Sequence, residues 1–210
     1  MQPALLLVLP LIIPLFSAVL CLIFRKKIKA QEYINVIGTT AFLGIAIHLL
    51  YSTIQQGVLA VQIAIALYAI QDIDLRRKAF GFFPAFQFLL LGVTGAFLTG
   101  DAFNLYVWYE VMLLASFVII ALGNSKSQLE GALKYVILNF VGSGFFLTGI
   151  GVLYNATGML NMAALAELAK NDLGSGMITL AAIFFFISFG VKSAIFPLFS
   201  WLPSSYHTPP

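Results

Sequence analysis

The sequence predicts an all-α, polytopic membrane protein in which residues 1–210 form a single domain, a bundle of about seven transmembrane helices. Three observations lead to this fold class. Of the 210 residues, 61% are hydrophobic and 9% are charged, whereas a soluble domain carries roughly a quarter charged residues. Long apolar runs recur along the chain, and most positive charges cluster in the short stretches between them.

Seven apolar segments account for most of the chain. They cover residues 4–24, 33–54, 57–71, 80–99, 103–123, 131–154 and 177–200. Turn residues and charges, such as Gly100 and Asp101, separate one segment from the next. The stretch 159–170 has helical propensity but is too short to span, so we expect it to lie along the membrane surface.

The third segment is short, because residues 58–71 cover about 21 Å of helix and the hydrocarbon core is roughly 30 Å thick. Loop charges nevertheless favour a span here. If the segment spans, Lys170 is the loop cation on one side and eight cationic residues lie on the other. The eight are Arg25, Lys26, Lys27, Lys29, Arg76, Arg77, Lys78 and Lys126. This asymmetry predicts that the N-terminus is outside the cell and the C-terminus inside.

Composition and motifs exclude several classes of protein. Cys21 is the one cysteine of the sequence and lies in the first apolar segment, so no disulfide framework is expected. Positive charge follows that segment instead of preceding it, so we expect no cleavable signal peptide. The sequence has no nucleotide-binding glycine loop and no His/Cys cluster. We therefore expect no cofactor, no metal site, no covalent chemistry and no nucleic-acid partner.

Two charged residues, Glu110 and Lys192, stand alone within long apolar segments. Glu110 lies nine residues, about 14 Å, from Asp101 at the outer end of the fifth segment. Lys192 lies nine residues, about 14 Å, from Trp201 at the inner end of the seventh. Both therefore fall near the middle of the bilayer, where a charge is costly and typically marks an ion or proton path.

The two charges would form a pair if their helices are neighbours. A buried ammonium group keeps its proton beside a carboxylate and releases it more readily when the carboxylate is distant. Making and breaking the pair would thus move a proton on and off a lysine at neutral pH. The alternative is a static ion pair that only fixes how the helices pack. The cost of two charges at this depth favours the transport role.

Further residues are weaker candidates. Pro197 cannot donate a backbone hydrogen bond, so it predicts a break or kink beside Lys192. Lys134 is either a relay group or the partner of Glu130 in an i,i+4 pair. His207 could pass protons on the cytoplasmic side, although a solvated histidine is the simpler interpretation. His48 is most simply a packing residue, and Gly142 and Gly144 around Ser143 favour close helix packing over an ion site.

Four stretches carry a resemblance to a known family. They are GAFLTGDAFNLYVWYEVMLLASF (95–117), LEGALKYVILN (129–139), TGMLNMA (157–163) and FGVKSAIFPLFSWLPSSYHTPP (189–210). Together they resemble the D subunit of the multisubunit Mrp-type sodium/proton antiporter. That family is similar to the antiporter-like, proton-pumping membrane subunits of respiratory complex I, and the resemblance extends over nearly all of the chain.

The resemblance implies specific roles. It assigns Glu110 and Lys192 to the ion-translocating pair of the family, and Lys134 to the lysine of helix six. It implies exchange of cytoplasmic Na⁺ for external protons in the cell membrane of a prokaryote, within a complex of six or seven different subunits. It also implies a fold of about fourteen helices in inverted repeats, of which this chain corresponds to the N-terminal half.

The sequence departs from the family pattern in two places. The second inverted repeat is absent from the 210 residues, and the stretch 57–74 resembles a join across residues that family members have between helices two and three. Two alternatives to antiport therefore stay open. One is a proton-translocating subunit of an NADH:quinone oxidoreductase-like complex, and the other is a truncated membrane scaffold that transports nothing.

Overall fold

The computed structural model describes residues 3–50, 57–123, 125–171 and 176–206, and these residues are almost entirely helical. The helices are α1 (Pro3–Ile23), α2 (Ile28–Leu50), α3 (Gly57–Asp72), α4 (Leu75–Ala79), α5 (Phe82–Leu98), α6 (Ala102–Ala121), α7 (Lys126–Thr157), α8 (Met162–Asn171), α9 (Gly176–Lys192) and α10 (Trp201–Tyr206). Within these ranges there is no β-strand, and an isolated bridge joins Asp101 to Asn161. The predicted all-α class is confirmed.

The described residues divide into two compact units, one up to Thr94 and the other from Gly95 onwards. In the first unit α1 packs on α2, and α2 packs on α3. The short helix α4 is capped by Asp74, whose carboxylate accepts a 2.7 Å hydrogen bond from the backbone N–H of Arg77. Such an N-cap satisfies a backbone donor that the first helical turn leaves unpaired.

Lys78 differs from the sequence-based expectation. The charge pattern places it among the loop cations that orient the chain, yet it is 5% exposed. Its ammonium group donates a 2.8 Å hydrogen bond to Glu32 of α2 and another to the carbonyl of Ile70 at the end of α3. A buried charge is tolerated when it is paired and hydrogen-bonded in this way.

The second unit is organised around α7, which packs against α6, α9 and α10. Asp101 caps α6 and Ser125 caps α7, the latter in a capping box with Gln128. Gly158 ends α7 in the left-handed region at φ 68°, where a residue with a Cβ would be strained. A buried cluster joins the three helices α6, α7 and α10. Its members are Leu113, Ile120, Ala132, Tyr135 and Trp201.

The predicted segments correspond to observed helices, with two refinements. The seventh segment is divided, because α9 ends at Lys192 and α10 begins at Trp201. The stretch predicted to lie along the surface forms the ten-residue helix α8. Among the residues whose side chains are described, α6 and α7 are long and apolar enough to cross a membrane, and the apolar helical stretches Pro10–Ile23, Phe82–Leu98 and Gly176–Lys192 are shorter. The count of seven spans and the single membrane domain therefore stay predictions.

Candidate functional site

Glu110 lies in the middle of α6, about two and a half helical turns after the N-cap residue Asp101. The residue is partly buried, and its Oε1 atom is buried without a hydrogen-bond partner among the described residues. A buried carboxylate oxygen that is left unpaired carries a desolvation cost of about 1–3 kcal/mol or more. The position therefore holds an acceptor that a proton, a cation or an ammonium group would satisfy.

Lys192 is the last residue of α9, where the predicted break next to it is confirmed. After Lys192 the chain turns through Ala194, at φ 52°, and does not return to helix until Trp201. The indole N–H of Trp201 donates a 2.8 Å hydrogen bond to the carbonyl of Val191, one of the carbonyls that the helix end leaves unpaired. This bond joins the start of α10 to the end of α9.

The ammonium group of Lys192 has two partners in the second unit. It donates a 3.1 Å hydrogen bond to the hydroxyl of Ser143 on α7, and it lies 5.2 Å from the ring centroid of Tyr109 on α6. The face of an aromatic ring attracts a cation, most strongly where water is excluded. Lys192 is thus held between a hydroxyl oxygen and a ring face.

Glu110 and Lys192 lie in the same part of the second unit, because Tyr109, the residue before Glu110, lies against the Lys192 ammonium group. The two side chains do not form a direct ion pair; the ion pairs of the described residues join other partners. Tyr109, the residue before Glu110, bridges the gap, since its ring contacts Phe189 of α9 at 6.4 Å between centroids. We call Glu110 and Lys192 an open pair, because the acid and the base lie in the same unit without a direct contact.

Close packing of α7 on α9 sets this geometry. A Cβ atom added at Gly142 would lie 3.0 Å from Val191, the residue before the lysine, whereas Gly144 faces open space. The packing interpretation is therefore confirmed for Gly142, whereas a Cβ atom at Gly144 would meet none of the described atoms within 4 Å. Ser143, the residue between the two glycines, has a polar contact. Ser143 is buried and accepts the bond from Lys192.

Sequence reasoning misses three residues of this site. It assigns Ser143 to packing, and it gives no role to Tyr109 or Ser188. Ser188 is fully buried one turn before Lys192, and its hydroxyl has no hydrogen-bond partner among the described residues. A usable signal exists for Ser188, because positions four apart lie on the same helix face. For Ser143 the signal in the sequence is that a polar residue lies at the same predicted membrane depth as Glu110 and Lys192.

The remaining candidates lie elsewhere or beyond the described residues. Lys134 forms the predicted i,i+4 pair with Glu130 at 2.7 Å, and the two side chains are 51% and 63% exposed. The structure does not bring Lys134 into contact with Glu110 or Lys192. His207 lies outside the described residues, and His48 lies outside those whose side chains are described.

The fold and the site define a class: a helical membrane protein with ionisable residues inside its bundle. Residues 99–210 match the family model described as NADH:quinone oxidoreductase/Mrp antiporter, TM. The chain is 33% identical to the D subunit of the Na(+)/H(+) antiporter of Bacillus subtilis over 97% of its length, and 34% identical to that of Alkalihalophilus pseudofirmus over 98%. It belongs to this family of antiporter and oxidoreductase membrane subunits.

Solved structures of membrane complexes contain chains with a similar fold. The chain is similar to a chain of the membrane-bound sulfane sulfur reductase, an archaeal respiratory membrane complex, at 30% identity, TM-score 0.82 and 99% of its own length. A chain of the Mrp complex from Dietzia shares the fold, with TM-score 0.81 at 21% identity over 100% of this chain. The match covers 48% of the first chain and 44% of the second.

The chain spans about half the length of the curated relatives it matches, 47% in the case of the Bacillus protein. The alignment with that relative is 232 positions long. Because 97% of 210 residues is about 204, roughly 28 positions are gaps in this chain. The Bacillus relative thus carries additional residues inside the matched region.

Proposed function

We propose that this chain works as part of a cation/proton antiporter, in the role of its D subunit. It assembles with different subunits in the cell membrane of a prokaryote and takes part in exchanging cytoplasmic Na⁺ for external protons. Two relatives named as the D subunit of a Na(+)/H(+) antiporter, each matched over nearly the whole chain, support the assignment. In the proposed topology seven helices span the membrane, with the N-terminus outside.

The observation that carries the mechanism is the open pair. The buried Oε1 of Glu110 has no hydrogen-bond partner among the described residues, while the nearby Lys192 is bonded to Ser143. A static ion pair would be closed, because separated buried charges forfeit the attraction that offsets their desolvation. An acid and a base held apart are suited to a site where protonation changes during each cycle.

The proposed cycle has two positions of the Lys192 side chain. In one position the ammonium group pairs with Glu110 and retains its proton. When Glu110 takes up a proton or a cation, the pair opens and Lys192 turns to Ser143 and Tyr109. In that position its proton leaves along the path, and the neutral amine accepts the next proton before the pair closes again. The unwound stretch after Lys192 gives the side chain room to move.

Lys134 and His207 complete the proposed path on the cytoplasmic side. Lys134 lies two turns after the start of α7 and is half exposed, so water reaches its ammonium group. We assign it the exchange of protons between the interior and the cytoplasm. His207 lies one residue beyond α10 and would serve as an accessory relay, since an ordinary histidine changes its charge close to neutral pH.

The test is Na⁺-driven pH change in everted vesicles that carry the whole complex. We expect Glu110→Gln and Lys192→Ala to lower Na⁺-dependent proton flux at least roughly tenfold, equivalent to about 1.4 kcal/mol in the transition-state barrier. Matched controls are Glu167→Gln and Lys170→Ala, which change exposed charges on α8. Full flux in both site variants, with normal assembly, would disprove the proposal and leave the scaffold interpretation.

A second candidate function is proton translocation driven by redox chemistry in another subunit. The specific observation in its favour is the 30% identity to a chain of an archaeal respiratory membrane complex over 99% of this chain. The same vesicles separate the two functions. Proton flux that depends on an electron donor and is indifferent to Na⁺ would assign the chain to a redox-driven complex.

A further inference from the structure

The inner face of α2 is polar along several turns, in a helix whose surroundings are apolar. Gln31, Asn35 and Thr39 follow one another at intervals of four residues, which places them on one face. Their exposed fractions are 0%, 0% and 2%. Gln87 of α5, which is 1% exposed, meets the same face. None of these residues carries a charge, and none takes part in the Glu110–Lys192 site.

Most polar atoms of this face are paired with one another. The Gln87 amide donates hydrogen bonds of 2.7 Å to Asn35 Oδ1 and 3.2 Å to the Thr39 hydroxyl. Thr39 in turn donates to the backbone carbonyl of Asn35 at 2.7 Å. At the other end, Gln31 Nε2 donates to the carbonyl of Arg25 at 3.0 Å, just beyond the end of α1.

Two atoms of the face are left over. The acceptor Oε1 of Gln31 and the donor Nδ2 of Asn35 are both buried, and neither has a hydrogen-bond partner among the described residues. Buried polar groups in native proteins are almost always hydrogen-bonded to protein or to ordered water. The two residues are one helical turn apart, where Cβ atoms are about 5–6 Å from each other, a gap that one small molecule can bridge.

The chemistry of the two atoms selects the ligand. It must donate to Gln31 Oε1 and accept from Asn35 Nδ2 at the same time. A metal cation would be repelled by the amide N–H group, and an anion would be repelled by the amide oxygen. Water does both, and a polar site with two or more partners is what a buried water molecule requires.

A route for water is also present. A cavity of about 380 Å³ lies at the connection between α1 and α2. It is lined by Leu22, Ile23, Phe24, Arg25, Lys26 and Lys27. Gln31 donates hydrogen bonds to the carbonyls of two of these lining residues, Phe24 and Arg25. The polar face of α2 therefore begins at the wall of a cavity with cationic rims.

We propose that Gln31 and Asn35 bind a buried water molecule between their side chains. The site belongs to the first unit of the chain and is independent of the proposed antiport function. It gives α2 and α5 a shared polar core, supplied with water from the cavity at the α1–α2 connection.

Cys21 provides a probe, because it is fully buried and its sulfur lies 3.9 Å from the carbonyl oxygen of Gln31. X-ray irradiation of the intact complex produces hydroxyl radicals from bound water, and these oxidise neighbouring side chains. We expect Cys21 to be oxidised despite its burial. In Gln31→Met/Asn35→Leu, oxidation should fall roughly threefold or more, because an apolar site does not hold water. Thr40→Val, an exposed change on the same helix, should leave it unaltered.

Absence of Cys21 oxidation in the unaltered complex would overturn the proposal, as would equal oxidation in the double variant. A high-resolution density map of the unaltered complex supplies a second measurement that needs no variant. The map should contain a peak at hydrogen-bond distance from both amide atoms in Na⁺ and in K⁺ buffer alike. An empty position, or a peak that requires Na⁺, would overturn the assignment to water.

Discussion

The two units of the chain use the same pair of residue types, a lysine and a glutamate, in opposite ways. In the first unit Lys78 and Glu32 are in direct contact at 2.8 Å, and Lys78 is additionally bonded to a backbone carbonyl. In the second unit Lys192 and Glu110 share an interior without touching, and one carboxylate oxygen is left unpaired. A closed pair holds helices together. In an open pair a buried carboxylate oxygen remains available to bind a proton or a cation.

The difference follows from the neighbours of each lysine. Lys78 stands on a short capped helix close to the ends of α2 and α3, so its ammonium group finds an acid and a carbonyl together. Lys192 stands at the end of α9, where Ser143 and the ring of Tyr109 hold it. In the second unit neutral partners therefore contact the ammonium group in place of the Glu110 carboxylate.

The largest expected effect comes from breaking the closed pair. Lys78→Met leaves the Glu32 carboxylate, whose side chain is 23% exposed, without its partner. Removing one member of a buried pair costs about 3–5 kcal/mol, so thermal unfolding of the detergent-solubilised complex should shift to clearly lower temperature. The double variant Lys78→Met/Glu32→Leu should recover most of the loss, and Lys26→Ala, an exposed change, should cause little. Equal stability of Lys78→Met and the unaltered protein would show that the closed pair is not a structural element.

An intermediate effect is expected from removing the neutral partner of the open pair. Ser143→Ala abolishes the hydrogen bond from Lys192, and a bond to a charged group contributes about 1.5–3 kcal/mol. The lysine should then remain with Glu110, and Na⁺-dependent proton flux should fall roughly tenfold. Thr148→Val is the matched control, since that hydroxyl on α7 bonds the backbone of its own helix. Unchanged flux in Ser143→Ala would remove the serine from the proposed cycle.

The smallest effect is expected at the exposed pair on α7. Glu130→Gln and Lys134→Ala should each leave the thermal unfolding temperature of the complex nearly unchanged, because exposed i,i+4 pairs contribute little. The two variants should differ in Na⁺-dependent proton flux. Loss of Lys134 should slow exchange modestly, by roughly twofold, since water can replace an exposed proton relay, and loss of Glu130 should not. Equal flux in both variants would confine Lys134 to a structural role.

Much of the fold was predictable from the sequence, for identifiable reasons. The scarcity of charge required a membrane class, and the costs of a buried charge singled out Glu110 and Lys192 without any knowledge of their neighbours. Pro197 predicted the break beside Lys192, which the structure contains. Cap residues such as Asp101 and Ser125 stand where the helices begin, because their side chains satisfy local backbone donors.

Helix faces were not predictable. Lipid and protein interior are both apolar, so a membrane helix shows little contrast between the side that faces its neighbours and the side that faces lipid. For that reason the sequence did not indicate that Ser143 contacts Lys192. Nor did it indicate that Lys78 is buried in an ion pair instead of lying among the exposed loop cations. The polar face of α2 was not predictable for a related reason, since uncharged polar residues such as Asn35 and Thr39 do not interrupt an apolar segment.

The sequence alone determined that the chain is helical and membrane-embedded, that one acid and one base lie near the middle of long apolar segments, and that a helix is broken beside the base. These properties depend on composition and on interactions between residues close in the chain. The tertiary structure decided which atoms the charged groups contact, because contacts between helices depend on rotation about each helix axis. The buried Glu110 oxygen, without a partner among the described residues, is visible only at that level.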